Sequence, residues 1–464
     1  MKEKKPEQIN NKLDKSQTAT VIVVILTAFV TTFTGSALNL SIPAISQEFN
    51  ASAIIMNWII NGYVLAIAAF SVPFGRLADL TGRKRILVIG ILIFSICSGG
   101  AGFAWSIQVL LVIRMLQGIG ASMIFSTNMA VLISAFPPEK RGKVIGFSVA
   151  STYIGLSAGP VLGGVLNHYL GWRSIFILTF IIGVVSFFLA AKKLPRVEAK
   201  MENGGWDILG NIVYIIMIIA IMYGLSSFST ESYGKYLIIG GVILFLFFIY
   251  HELKVKHPIV EMRLFKSNLA YLFSNLAALL NYGATFAVSY LLSIYLQTIR
   301  GFDSQIAGLI LISQPVLMAV LSPYAGRLSD RLSPFKLASF GMGLCALGLF
   351  SFIFISANYP MALVIANLVV VGIGFAFFSS PNTNAVMACV EKKDYSVASS
   401  ILATMRSIGH SVSMAIITFI FAMNFGDMTL EQVEPTAMLM AMRVSFIIFT
   451  IICGVGIFIS LKRK

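Results

Sequence analysis

Fourteen long apolar stretches, separated by short polar ones, dominate the chain. They fall at about 19–44, 54–74, 86–104, 107–136, 144–167, 173–191, 208–228, 235–253, 270–297, 304–325, 336–356, 361–387, 398–424 and 436–461. Each is near the length of about 20 residues that an α-helix needs to cross the hydrocarbon core of a bilayer. Apolar residues occupy whole stretches rather than one face, which is the pattern of helices set in lipid. The pattern predicts an all-α membrane protein with fourteen transmembrane helices.

Composition strengthens that reading. The 464 residues are 57% hydrophobic and 11% charged, and the mean hydropathy is +0.87. A formal charge of +15 could suggest a nucleic-acid partner, but its distribution argues otherwise. With the N-terminus inside, the even-numbered gaps and both tails hold 28 of the 34 Lys and Arg residues. The odd-numbered gaps hold only Arg173, Lys235 and Arg300. This is the positive-inside asymmetry. It places both termini in the cytoplasm and a multi-pass chain in the cell membrane, and it leaves no nucleic-acid role. The gap "NFGDMTLEQVEPT" is acidic through Asp427, Glu431 and Glu434, as befits an outer loop. Residues 1–17 read as a disordered cytoplasmic tail, with no apolar core beside a cleavage site.

The segment "FGRLADLTGRKR", residues 74–85, concentrates charge between two apolar stretches, and "AGRLSDRLSPFK", residues 325–336, repeats it. Gly75-Arg76-Leu77-Ala78-Asp79 matches Gly326-Arg327-Leu328-Ser329-Asp330. Such a repeat predicts two homologous bundles with a site between them. The expected division is an N-terminal six-helix bundle at 18–200, a linking helix pair at 201–256 and a C-terminal six-helix bundle at 257–464. Gly75 is expected to end helix 2 and admit a neighbouring helix, with Asp79 in a tight turn among cations.

Inside the expected spans, Arg114 is read as lying mid-span, where an ionised side chain costs at least about 2.5 kcal/mol and must find partners. Gln117 and Gly118 share its face. In "GLSAGPVLGG", Gly155, Gly159 and Gly163 form a ridge for close helix contact, with Pro160 a bend and Gly164 completing the string. Arg406 and His410, at i and i+4, share a face of the thirteenth helix. Tyr282, Phe286 and Tyr290 form an aromatic stripe with Asn281 beside it, and Gln314-Pro315 is expected to break the tenth helix. The four cysteines show no metal-ligand spacing and read as packing residues. No metal site and no cofactor is expected. Paired carboxylates, a metal cluster or a nucleophile with its base, as an enzyme needs, are not found.

Five of these strings occur in one order: "GRLADLTGRKR", "LLVIRMLQGIGAS", "GLSAGPVLGG", "GWRSIF" and "ASSILATMRSIGHSVSMA". In this the chain resembles the major facilitator superfamily, in particular its fourteen-helix drug:proton antiporter (multidrug efflux) branch, across everything after the tail. The resemblance implies two six-helix bundles plus an inserted pair, and export of amphipathic compounds by proton-coupled alternating access. It implies gating or coupling by Gly75, Asp79, Arg83, Arg114, Gln117, Arg406 and His410, and an antiporter motif at Gly155, Gly159, Pro160, Gly163 and Gly164. A substrate surface is expected at Thr34, Asn39, Asn61, Tyr282, Phe286 and Gln314, with substrate, protons and the lipid bilayer as partners and a monomer as the unit. One departure matters: "FTGSALNLSIP" keeps Asn39 and Pro43 but has Thr34 where relatives of this branch carry an Asp. None of the nineteen Asp and Glu lies deep in an expected span. A carboxylate is the usual partner of a cationic cargo, so neutral, zwitterionic or anionic amphiphiles are favoured. An endogenous lipid, fatty acid or peptide-like metabolite, moved with weak or no proton coupling, is the alternative cargo.

Overall fold

In hydrocarbon no water can satisfy a bare backbone, so a spanning chain must close its hydrogen bonds within helices or a closed barrel. This chain takes the first course. The computed structural model describes residues 14–39, 41–49, 53–195, 205–228, 233–260, 262–302, 304–425 and 434–462. Every regular element among them is helical. Twelve of these helices are long and apolar enough to cross a membrane, or thirteen with one bent pair counted as a span. The remaining expected stretch, 398–424, lies in a single 31-residue helix, Tyr395–Phe425.

In chain order the long helices are α1 Lys15–Asn39, α2 Ala53–Thr81, α3 Arg83–Gly102, α4 Ile107–Ser134, α5 Pro138–Leu170, α6 Arg173–Lys193, α7 Ile208–Ser227 and α8 Gly234–Lys254. They continue with α9 from Leu269 to Ile299, which is interrupted after Thr285 and ends in a π-turn, and α10 from Ser304 to Ser329, interrupted at Ile312. The last four are α11 Pro334–Phe352, α12 Met361–Ala388, α13 Tyr395–Phe425 and α14 Pro435–Leu461.

The packing repeats. In the first six helices the main pairs are α1 with α5 and α6, α2 with α4, and α3 with α4 and α6. In the last six, α9 packs on α13 and α14, α10 on α12, and α11 on α12 and α14, the same five pairs eight helices later. The seam between the bundles repeats as well. Helix α13 lies on α2 and α4, and α5 lies on α10 and α12. Two bundles with one internal plan form the fold. Helices α7 and α8 pack on each other, and α7 also touches both α2 and α13. Outward-facing positions such as Phe188, Ile243, Leu246 and Phe458 are exposed and apolar, as a lipid-facing surface requires.

Three expectations about local shape need correction. Helix α2 does not end at Gly75 but runs through Thr81, so Asp79 lies in its last turn rather than in a loop. The whole connection to α3 is Gly82, whose φ of 110° is open to glycine and costly for other residues. Arg114 is not central: it is the eighth residue of α4, only about 10 Å from that helix's first turn at 1.5 Å per residue. The break in α10 precedes Gln314-Pro315, because proline is tolerated in the first turn of a new helix segment.

Candidate functional site

The repeated charged segment ties the two bundles together at one end. The Asp79 side chain is fully buried. It accepts the Arg83 Nε hydrogen at 2.8 Å and lies 2.8 Å from Arg83 Nη2. It also accepts the backbone N–H groups of Ser396 and Val397 at 3.4 and 3.1 Å. Those amides open α13, where unpaired donors and the helix dipole favour an anion. Arg83 continues the junction by donating to Ser396 Oγ and Ser134 Oγ, both at 3.0 Å, and to Lys392 O. Tyr395 sits between Arg83 and Arg141, and Arg141 donates to its hydroxyl at 3.0 Å. Gly75 permits the approach of α13: a Cβ there would lie 2.1 Å from Ser400 Oγ.

The second copy of the segment does the same from the opposite bundle. Asp330 accepts the backbone N–H groups of Gly142 and Lys143 at 2.6 and 3.0 Å in α5. A Cβ at Gly326 would lie 2.1 Å from Gly142 O. So each acid docks on the start of the helix that the other bundle lays against it. This end of the seam is shut.

Arg114 is buried, and its described partners include no carboxylate. It donates to Ile59 O at 3.3 Å and to Gln117 Oε1 at 2.5 Å, while Gln117 Nε2 donates to Ser98 Oγ at 2.7 Å. Its guanidinium lies 4.2 Å from the Tyr63 ring centroid, and Tyr63 donates to Thr31 O at 3.1 Å. One cation thereby joins α2, α3 and α4, and Tyr63 extends the chain of contacts to α1. The glycine string sets α5 against α1. A Cβ at Gly155, Gly159 or Gly163 would fall 2.3 Å from Thr32 Oγ1, 1.8 Å from Ser36 Oγ and 2.6 Å from Ala37 Cβ. Helix α5 bends by 40° between Lys140–Gly159 and Val161–Leu170, around Pro160, whose side chain lies outside the described residues.

Between the bundles, the aromatic residues of α9 meet the polar face of α13. The Arg406 guanidinium lies 4.9 Å from the Tyr282 ring centroid, and its Nε has no hydrogen-bond partner. The His410 ring stacks on Phe286 at 4.0 Å and meets Tyr282 edge-on at 5.6 Å. Tyr282 shares a hydrogen bond with Ser379 Oγ at 3.1 Å and packs on Phe375, which also meets Tyr153 of α5. Gln314 is buried on α10, its Oε1 unpartnered. Tyr282, Phe286, Arg406 and His410 therefore come together. Tyr153, Phe375 and Ser379 join them and were missed, since they look like ordinary residues of apolar helices until α5 and α12 are packed.

The other expected substrate residues behave differently. The Thr34 hydroxyl is bonded to Val30 O of its own helix. Asn61 is half-buried on α2, and the Asn39 side chain lies outside the described residues. The break after Thr285 takes Tyr290 out of a straight stripe and leaves it 39% exposed. A cavity of about 620 Å³ does exist, but it lies between α7 and the α13–α14 pair, lined by Leu225, Phe228, Phe419, Met423 and Ile448. It contains none of the expected substrate residues and reads as a lipid-facing cleft.

Beside α1 a second ion pair forms outside the spans. Arg173 donates to Glu48 Oε1 and Oε2 at 2.6 and 2.8 Å, and Trp172 Nε1 donates to Oε2 at 2.8 Å. The Arg173 hydrogen bonds hold the Glu48 carboxyl below its ordinary range, with Trp172 adding to the effect.

Comparison with known proteins follows from this architecture. Residues 24–254 and 274–464 match the family model described as Major Facilitator Superfamily. The chain is 28% identical over 446 residues to the riboflavin transporter RibZ of Clostridioides difficile (strain 630), covering 96% of this chain and 97% of that one. It is 28% identical over 421 residues to the multidrug resistance protein Stp of Mycobacterium tuberculosis (strain ATCC 25618 / H37Rv), covering 88% and 77%. A solved structure of the human organic anion transporter MFSD10 (TETRAN) superposes with a TM-score of 0.68 at 12% identity, covering 96% of this chain and 99% of that chain.

Proposed function

The chain belongs to the Major Facilitator Superfamily, and from that premise we propose that it exports amphipathic compounds, drugs included, by alternating access coupled to inward proton flow. It is a transporter and not an enzyme. The observation that carries the reading is the doubled junction of Asp79 on α13 and Asp330 on α5. It closes one end of the seam with two small polar contacts that rocking bundles can break and remake. With both termini on the cytoplasmic side, the shut end is the inner gate. The multidrug resistance relative supports the cargo class, and the glycine ridge of α5 against α1 supports the direction.

The central cluster supports a restriction on that cargo. It offers aromatic faces, an Arg406 Nε without a partner and a buried Gln314 oxygen, with no acid among the residues described there. An organic cation would meet Arg406 without a compensating charge, whereas a planar neutral or anionic amphiphile stacks on the rings and pairs with the guanidinium. A second reading is transport of an endogenous planar metabolite, and the riboflavin transporter relative favours it. Under antiport, coupling uses Asp79, His410 or the proton carried by the substrate itself, whereas the metabolite reading goes with weak or no coupling.

The test is purified protein in liposomes with an internal pH dye, challenged under an imposed pH gradient with cationic, neutral and anionic amphiphiles and with riboflavin. Substrate-dependent proton movement, lost in Asp79→Asn, is the expected result. Efficient transport of organic cations that compete with every other substrate overturns the cargo restriction. Movement of labelled substrate without protons overturns antiport and puts the metabolite reading first.

A further inference from the structure

Outside the seam, the start of α7 and the end of α8 build a cluster of ligating groups that transport does not use. Asp207 caps α7, its Oδ1 accepting the Gly210 N–H at 2.9 Å. Its Oδ2 lies 2.8 Å from His251 Nε2 of α8. The adjacent Glu252 is only 2% exposed. Its Oε2 accepts the Val260 N–H at 2.9 Å, but its Oε1 has no partner. Gly210 shows where that oxygen points. A Cβ at Gly210 would lie 2.3 Å from Asp207 Oδ2 and 2.6 Å from Glu252 Oε1, so both oxygens face one small space that the glycine leaves open. One turn along α7, Asn211 is 6% exposed and its Oδ1 is likewise unpartnered. One ligand atom each from Asp207, His251 and Glu252 falls within a mutual 4.8 Å.

The geometry points to a divalent transition-metal site of the zinc class held by Asp207, His251 and Glu252, with water in the fourth position. Two carboxylates face a single imidazole around a buried, unpaired oxygen, and burying excess negative charge costs several kcal/mol unless a cation compensates. Calcium and magnesium prefer six or more oxygen ligands, and copper(I) prefers sulfur. A mixed imidazole–carboxylate set of three or four suits zinc, cobalt or manganese. Ligand atoms at about 2.0–2.2 Å from one zinc ion lie roughly 3–4 Å apart, which small side-chain rotations reach from the present separations. The sequence shows no metal motif here because 44 residues separate Asp207 from His251. A bound ion would pin α7 to α8 beside the seam, where Tyr214 of α7 meets Thr404 Oγ1 of α13 at 3.0 Å.

The test uses full-length protein in detergent, freed of any affinity tag and treated with a chelator. Cobalt(II) is titrated while its visible absorption is followed, and zinc is titrated in competition with a chromophoric chelator. One equivalent should bind at micromolar or lower concentration. Zinc should also raise the melting temperature, because binding to the folded state alone stabilises it. His251→Gln, at a half-buried position, and Glu252→Gln should each weaken binding at least tenfold, while His168→Ala at the opposite end of α5 changes nothing. Absence of binding stronger than millimolar overturns the site. So does binding that is unchanged in both His251→Gln and Glu252→Gln variants that still elute as folded protein.

Discussion

At the scale of single residues, Asp79 and Arg83 form a buried pair whose value depends on both members being present. Removing one partner of a buried ion pair typically costs about 3–5 kcal/mol, because the other charge is left uncompensated. Asp79→Asn should therefore loosen the shut end. In a background with the native cysteines replaced, Ser400→Cys sits buried against Gly75 and should react slowly with a water-soluble maleimide. It should react at least tenfold faster when Asp79→Asn is added, and equal rates would remove Asp79 from the closure. Glu48 makes a smaller and pH-dependent contribution. Its folded-state pKa is depressed by Arg173, so the stabilisation is present above the ordinary glutamate value near 4.3 and is lost as pH falls through the lower folded value. The pair is more than a third exposed on both sides, so screening limits it to less than about 1 kcal/mol. Glu48→Gln should lower the melting temperature slightly at pH 7, and its difference from the unmodified protein should shrink as the pH is lowered.

At the scale of elements, the contact of α1 with α5 sets small side chains of α1, Thr32, Ser36 and Ala37, against the bare backbone of the α5 glycines. Gly159 faces Ser36 so closely that a Cβ would reach 1.8 Å from its Oγ, and a rigid neighbour must move to admit anything larger. In a membrane such close packing supplies the van der Waals contact that the hydrophobic effect does not. Gly159→Val should cut transport at least tenfold and lower the melting temperature of the detergent-solubilised protein. Gly343→Val, on α11 where an added Cβ meets nothing within 4 Å, should retain most activity. Equal losses at the two positions would mean that the close contact of α5 with α1 is not what matters.

At the scale of the whole molecule, the doubled packing plan makes closure one event with two anchors. Asp79 on α13 and Asp330 on α5 belong to opposite bundles and act on the same seam. Mutations that bias a single two-state element do not combine independently. Asp79→Asn with Asp330→Asn should therefore raise Ser400→Cys labelling by a factor that differs from the product of the single effects. A purely multiplicative result would argue for two local contacts without a shared motion. The linking pair belongs to this scale too, since Tyr214 of α7 touches both Ala68 O and Thr404, one on each side of the seam.

The chain's own order of residues determined the helical class, the approximate positions of the spans, the internal repeat and the lack of acids in the middle of the expected spans. Each of these follows from composition along the chain, because the bilayer permits so few backbone solutions. Sequence spacing also brought Arg406 with His410, and Arg114 with Gln117, onto shared faces. The tertiary structure decided the rest. It showed that Asp79 serves α13 more than 300 residues away, that Arg114 is satisfied by carbonyl and amide oxygens, and that Tyr153, Phe375 and Ser379 complete the central cluster. It also placed Asp207 beside His251 and Glu252, where a strict reading of spacing expects nothing. Those partnerships arise only when helices pack, and packing depends on the shapes of whole faces, which a one-dimensional pattern does not carry.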